Sequence, residues 1–188
     1  MGDNMGEYLY TERLRIRSVS EDDALMLSRW KSMFKLREMS VGLDTKITEN
    51  NQRNDIRNTF ISGDMYVILE LKEDFIPIGY IRLGWMDDEH ERCWLSYGMV
   101  SHYREGYCYE ALNTIIPALY RFNMVNKIEA EVFEFNEASR RLLEKLGFAR
   151  NGKRLNDYYY KNKYWDILKY EMTKERMDMI LEQKIKKS

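Results

Sequence analysis

The 188-residue chain has only two cysteines, two histidines and two prolines. Cys93 and Cys108 stand at no metal-ligand spacing and no secretory signal accompanies them, so a reducing cytoplasm fits better than an oxidising compartment. Two histidines, His90 and His102, cannot build a classical zinc site, and no metal is expected. No run approaches the ~18 apolar residues needed to span a bilayer. The start Met1-Gly2-Asp3-Asn4-Met5-Gly6 also lacks the Ser or Thr of a myristoylation signal, so a chain neither spanning nor anchored to a membrane is expected. The formal net charge of -1 supplies no basic field for a phosphate polymer, which argues against nucleic acid as a partner. Internal repeats, low-complexity tracts and Pro/Gly/Ser-rich breaks are also missing.

What is present suits one soluble core: 44% of residues are hydrophobic and 32% charged. The expected organisation is one folded domain over residues 9–173, an N-terminal tail over 1–8 and a C-terminal helical tail over 174–188. Arg13 to Val19 alternates as a half-buried strand does, and Ser20-Glu21-Asp22-Asp23 resembles a capping box opening a helix through Trp30. Thr48 to Ile61 reads as a second helix stopped by Gly63. Met65 to Glu73 and Ile76 to Trp85 read as a hairpin, with Pro77 at a strand start or edge, and Arg92 to Val100 as the next strand. A helix from about Tyr109 to Asn123 follows, with a kink expected near Asn113 because Pro117 offers no donor. Ile128 to Phe133 is a strand. Asn136 then caps a helix with Glu137 in its first turn, Lys145 in its last and Gly147 beyond. Phe148 to Arg154 and Tyr164 to Met172 are two closing strands around a tyrosine-rich connection.

The segment Tyr103-Arg104-Glu105-Gly106-Tyr107-Cys108 lies between a strand and a helix. Free N–H groups of a first helical turn and roughly half a positive charge from the aligned peptides make such a junction an anion site. Gly106 permits close approach or positive φ, Cys108 is small, and Arg104 adds a charged fork. A glycine at such a junction is also ordinary turn geometry.

Several pieces in order carry a resemblance. They are Thr11-Glu12-Arg13-Leu14-Arg15-Ile16-Arg17, Ile78-Gly79-Tyr80-Ile81, Gly106-Tyr107-Cys108-Tyr109-Glu110-Ala111-Leu112, Lys127-Ile128-Glu129-Ala130, Asn136 to Phe148, and Lys163-Tyr164-Trp165-Asp166. Together, over about Tyr10 to Met172, the chain resembles the GNAT superfamily, in the branch of ribosomal-protein alanine N-acetyltransferases and spermidine acetyltransferases. The resemblance implies an α/β (α+β) fold with a mixed, mostly antiparallel sheet of six to seven strands, splayed in the middle and flanked by about four helices. It implies acetyl-CoA as co-substrate, its diphosphate on Arg104, Glu105, Gly106, Tyr107, Cys108 and Tyr109, and its pantetheine amides against main chain near Met99 and Val100. Asn136 and Ser139 match cofactor contacts near the thioester, although Asn-x-x-Ser at a helix start is also plain capping.

Catalysis in such a family requires attack by a neutral amine and a proton donor for the departing sulfur. The usual tyrosine donor position is occupied by Leu143, so Ser139 is the candidate acid. A frequent glutamate position on the strand before the loop is Trp94, and Tyr158 falls near another acidic position of the branch. Tyr158 is taken as the second catalytic candidate. Asp157, Tyr159, Tyr160, Glu89, Glu91 and His102 are further relay candidates, each better explained as a surface or packing residue. The acidic turn Asp87-Asp88-Glu89-His90-Glu91 could draw a cationic acceptor or simply be solvated. Acceptors compatible with the resemblance are a protein N-terminal α-amine or a small amine such as a polyamine or aminoglycoside, and a homodimer is compatible too. The alternative is a non-catalytic CoA-binding or sensory module of the same fold.

Overall fold

The computed structural model describes residues 8–33, 36, 39–40, 47–86, 91–122 and 124–186. They divide into two compact units, one drawn from Met1–Arg37, Asp44–Gly84 and Leu95–Thr114, the other from Glu38–Leu43, Trp85–Trp94 and Ile115–Ser188.

In the first unit, a short strand β1 (Tyr8–Tyr10) pairs antiparallel with β2 (Leu14–Ser18), whose Leu14 and Ile16 are buried while Arg15 and Arg17 alternate outward. A 3₁₀ turn over Glu21–Asp23 leads into α1 (Ala24–Ser32), and the Ser20 N–H donates to Asp23 Oδ2 at 2.8 Å as the capping-box spacing demands. Helix α2 (Glu49–Ser62) is capped by the Thr48 hydroxyl, which accepts from Asn51 N–H at 3.2 Å, and ends on Gly63 at φ 70. Strand β3 (Met65–Leu71) pairs antiparallel with β2 and with β4 (Pro77–Trp85), where Pro77 is the first strand residue. With β5 (Arg92–Met99) the order in this unit is β1-β2-β3-β4-β5. Val19, Ala24, Leu27, Trp30, Ile56, Tyr66, Ile68 and Tyr80 form one apolar cluster. Outside that cluster, buried Glu70 on β3 accepts from Arg15 Nε at 2.6 Å and Arg17 Nε at 2.8 Å. This ionic pairing lets alternating arginines sit on the sheet.

Beyond β5 the chain enters α3 (Tyr107–Arg121), with Pro117 inside it. The expected start at Tyr109 is two residues late: apolar periodicity begins at Leu112 and does not register the first turn.

In the second unit, β5 pairs parallel with β6 (Lys127–Phe133) over Arg92↔Lys127, Cys93↔Ile128 and Trp94↔Glu129. Helix α4 (Glu137–Leu146) begins at Asn136, whose side chain accepts from Ser139 N–H at 3.2 Å, and stops on Gly147 at φ 95. Strands β7 (Ala149–Tyr160) and β8 (Lys163–Thr173) form an antiparallel hairpin, β8 pairs with β6, and the order is β5-β6-β8-β7. Helix α5 (Lys174–Ile185) follows, capped by Thr173. The Tyr120 hydroxyl donates to the Met172 carbonyl, and the Tyr170 hydroxyl to Glu144 Oε1 at 2.9 Å, tying the helices to β8.

The seven strands expected from sequence are all present, and among the described residues β1 is an eighth. Three residues are too few to show a period, and β1 exists through its pairing with β2. The tyrosine-rich connection is corrected as well: Tyr158, Tyr159 and Tyr160 belong to β7, and the turn is only Lys161-Asn162, both at positive φ (51 and 59). A bulge between Arg154 and Tyr158, with Asn156 at φ 49, restarts the ladder, which one-dimensional alternation reads as a strand end. Asp166 on β8 holds that bulge, accepting from Lys153 Nζ at 2.6 Å and Asn156 N–H at 2.9 Å. The acidic turn residues Asp87, Asp88, Glu89 and His90, and Asn123, lie outside the described residues.

Candidate functional site

The first unit presents the junction of β5 and α3. Close approach of β4 and β5 is enforced by glycine: a Cβ at Gly79 would fall 2.6 Å from the Gly98 carbonyl oxygen, and one at Gly98 would fall 2.7 Å from the Tyr80 ring. The Val100 N–H donates to the Ile78 carbonyl at 2.9 Å, and the Val100 carbonyl accepts from the Tyr103 hydroxyl at 2.8 Å. Val100 therefore offers an incoming extended ligand only the second lone pair of its carbonyl. The loop then turns through positive φ at His102 (52), Arg104 (68) and Gly106 (87). Arg104, Glu105 and Gly106 are exposed, whereas Tyr107, Cys108 and Tyr109 are half-buried in the first turn of α3. Alternation of right- and left-handed backbone gathers N–H groups into an anion-binding concavity. Above Gly106 the space is open, since a Cβ there would meet only Arg13 Nη2 at 3.6 Å. Desolvation pushes the Cys108 thiol up to about 12, so it is a neutral, small packing group beside the loop.

A carboxylate in the first helical turn would oppose an anion, and Glu110 is there. Its charge is compensated: Glu110 Oε1 accepts from the Thr11 hydroxyl at 2.5 Å and from Arg13 N–H at 2.8 Å, and Oε2 from Arg13 Nε at 2.7 Å. Burial pushes the Glu110 carboxyl up, but these hydrogen bonds and the guanidinium hold it below its ordinary value. Arg13 also donates from Nη1 to the Glu105 carbonyl at 3.1 Å and lies 4.1 Å from the Tyr107 ring centroid. Thr11, Arg13 and Glu110 were not among the expected site residues. Thr11 and Arg13 stand in the first matched segment and Glu110 in the cofactor-loop segment, but their contacts span 97 to 99 positions, which no local pattern reveals.

The second unit carries the remaining expected residues at the carboxyl end of β6. Asn136 is buried and donates from Nδ2 to the Met39 carbonyl at 3.4 Å as well as capping α4, and half-buried Ser139 lies in the first turn. Its N–H, not its hydroxyl, makes the capping bond. Directly before them, Phe133 and Phe135 stack with centroids 5.2 Å apart, and Tyr158 stacks on Phe133 at 4.2 Å. Tyr160 stacks on Phe135 at 5.1 Å, and Trp165 meets Phe135 edge-on at 5.2 Å. The β7 bulge thus brings Tyr158 onto Phe133 and Phe135, the residues that precede Asn136. Tyr159 points the other way and is exposed. Of the other relay candidates, Asp157 pairs with Arg154 at 2.8 Å, and His102 lies in the first unit, exposed and edge-on to Tyr107. Leu143 is fully buried, and its hydrocarbon side chain has no proton to donate.

A mixed, mostly antiparallel sheet with helices, a positive-φ loop opening a helix and an Asn-capped helix after a parallel strand together define an acetyltransferase fold. The Acetyltransferase (GNAT) domain family matches residues 13–149, and the chain belongs to that family. It is similar to the uncharacterised N-acetyltransferase p20 of Bacillus licheniformis, 30% identical over 160 residues that cover 81% of this chain and 87% of that protein. Its fold is similar to the ribosomal-protein-S5-alanine acetyltransferase of Vibrio fischeri (TM-score 0.75, 16% identity, covering 89% and 97% of the two chains). A spermidine N-acetyltransferase of Vibrio cholerae in complex with CoA and spermine is similar to the same degree (TM-score 0.75, 14% identity, covering 89% and 99%). No helix among the described residues is long and apolar enough to cross a membrane.

Proposed function

We propose that the protein transfers an acetyl group from acetyl-CoA to a primary amine in the cytoplasm, through a transferase domain over residues 9–173. The observation carrying this is the β5–α3 junction: open space and positive φ at Gly106, with the one first-turn carboxylate compensated. Arg104, Glu105, Gly106, Tyr107, Cys108 and Tyr109 would hold the cofactor's diphosphate, and Met99 with the free lone pair of Val100 its pantetheine amides. Asn136 and Ser139 would contact the acyl end.

Acetyl-CoA supplies the activated acyl group. The chain has to donate a hydrogen bond to the carbonyl oxygen as charge develops there and to return a proton to the departing thiolate. Ser139 is proposed as that proton donor, and Tyr158, on the aromatic face at the end of β6, as a group lining the acceptor amine. An α-amine, with a reference pKa near 8, needs less help losing its proton than a lysine amine near 10.4, and fits a site with Trp94 where a glutamate often stands. A peptide N-terminus is therefore the favoured acceptor class over polyamines or aminoglycosides. The buried Leu143 also favours one second reading, a CoA-binding module without catalysis. Thiol release from acetyl-CoA over a panel of peptide α-amines, polyamines and aminoglycosides decides between them. Turnover of peptide α-amines is expected, brisk turnover of polyamines alone would redirect the acceptor, and CoA binding with no turnover would leave the module.

A further inference from the structure

Arg13 precedes β2 and is remote in sequence from the loop, yet it makes three kinds of contact with it. Its Nε and N–H engage the Glu110 carboxylate, its Nη1 holds the Glu105 carbonyl, and its guanidinium covers the Tyr107 ring. The contact to Glu105 has a stereochemical result. A trans peptide is planar, with its C=O and N–H antiparallel. With the Glu105 oxygen turned toward Arg13, the Gly106 N–H points away from Arg13. The Gly106 carbonyl is engaged by Glu110 N–H at 2.9 Å, so the peptides on both sides of Gly106 are oriented.

Resting on the assignment of this loop to a diphosphate, we propose that Arg13 is a positioning residue for that site: it cancels the Glu110 charge at the start of α3 and sets the plane of the Glu105–Gly106 peptide. Arg13 need not touch the ligand for this. Without it, a partly buried carboxylate faces an incoming dianion across one helical turn, where the helix dipole otherwise attracts anions.

The test is calorimetric titration of CoA into the full chain and its Arg13→Gln, Arg13→Lys, Glu110→Gln and Arg13→Gln/Glu110→Gln variants, with the melting temperature of each ligand-free protein recorded. Arg13→Gln is expected to weaken CoA about tenfold, equivalent to ~1.4 kcal/mol. Arg13→Lys, which keeps the charge, is expected within about threefold of wild type, and Glu110→Gln at wild-type affinity or tighter. The double variant should regain part of the loss, because the opposing carboxylate is gone while the Glu105–Gly106 peptide is still unheld. An Arg13→Gln protein with wild-type affinity, or a double variant as weak as Arg13→Gln, overturns the inference. So does a lowered melting temperature with reduced stoichiometry and unchanged Kd, the mark of a structural role alone. A wild-type chain that binds no CoA overturns the cofactor assignment itself, and this inference with it.

Discussion

Replacing Gly106 with valine separates the ligand site from the fold. Gly106 has φ 87, a region where an L residue is strained by about 1–3 kcal/mol. No packing clash adds to this, because the new Cβ would meet only Arg13 Nη2, at an ordinary 3.6 Å. At roughly 2–4 °C per kcal/mol for a chain of this size, the ligand-free melting temperature should fall by about 2–12 °C, leaving a folded protein at 25 °C. Binding should respond far more strongly, since the two γ-methyls stand in the open space above the loop where phosphate oxygens would approach the backbone. Wild-type protein at about 100 times the CoA dissociation constant gains ~2.7 kcal/mol, a rise of roughly 5–11 °C. Thermal unfolding followed by circular dichroism, with and without CoA, should show that rise in wild type and none in Gly106→Val. A variant that melts lower but keeps the full CoA-dependent rise would refute the placement of the diphosphate at Gly106.

Ser139→Ala should leave stability within about 0.5 kcal/mol, because the backbone N–H, not the hydroxyl, completes the Asn136 cap. It should reduce kcat by about 10²–10⁴ with CoA affinity unchanged, as measured by steady-state turnover alongside calorimetry. Cys108 should resist alkylation at pH 7.5 in the native protein and react after denaturation, followed by mass spectrometry, because burial raises its thiol from 9.0 to about 12. Because the folded value lies above the unfolded one, the neutral thiol's contribution to stability is complete below pH 9 and is lost as the pH rises toward 12. Urea melts should therefore weaken above pH 9, and Cys108→Ala should flatten that decline between pH 9 and 10. The buried Tyr80 hydroxyl, raised from 10.0 to about 12, adds its own loss only above that window.

Elements whose physics is local were legible in the chain. The Ser20–Asp23 capping box, the Thr48 and Asn136 caps, and the Gly63 and Gly147 stops each depend on groups within a turn of one another, so spacing alone predicts them. Strands β2 and β6 were likewise readable because burial on one face imposes a period of two on adjacent residues, whereas β3 and β4, with runs of consecutive buried residues, were readable from their β-branched and aromatic composition. The cofactor loop was visible as a glycine between a strand and a helix, an ambiguous signal by itself that the ordered company of the other segments made specific.

What stayed hidden shares a cause: each feature is held by residues distant in sequence. Strand β1 has no periodicity of its own and is defined by pairing with β2. The β7 bulge is pinned by Asp166 from the neighbouring strand, and that bulge, not the tyrosine run, decides which of Tyr158, Tyr159 and Tyr160 joins Phe133 and Phe135. Glu110 read as one more acidic residue near a helix start until Thr11 and Arg13, from the connection between β1 and β2, arrived to compensate it. Caps, turns and half-buried periods follow from short-range sterics and hydrogen bonding, so the order of residues suffices to specify them. The charge state and peptide orientation of the Gly106 loop depend on contacts nearly a hundred positions apart, and those come into being only when the chain has folded.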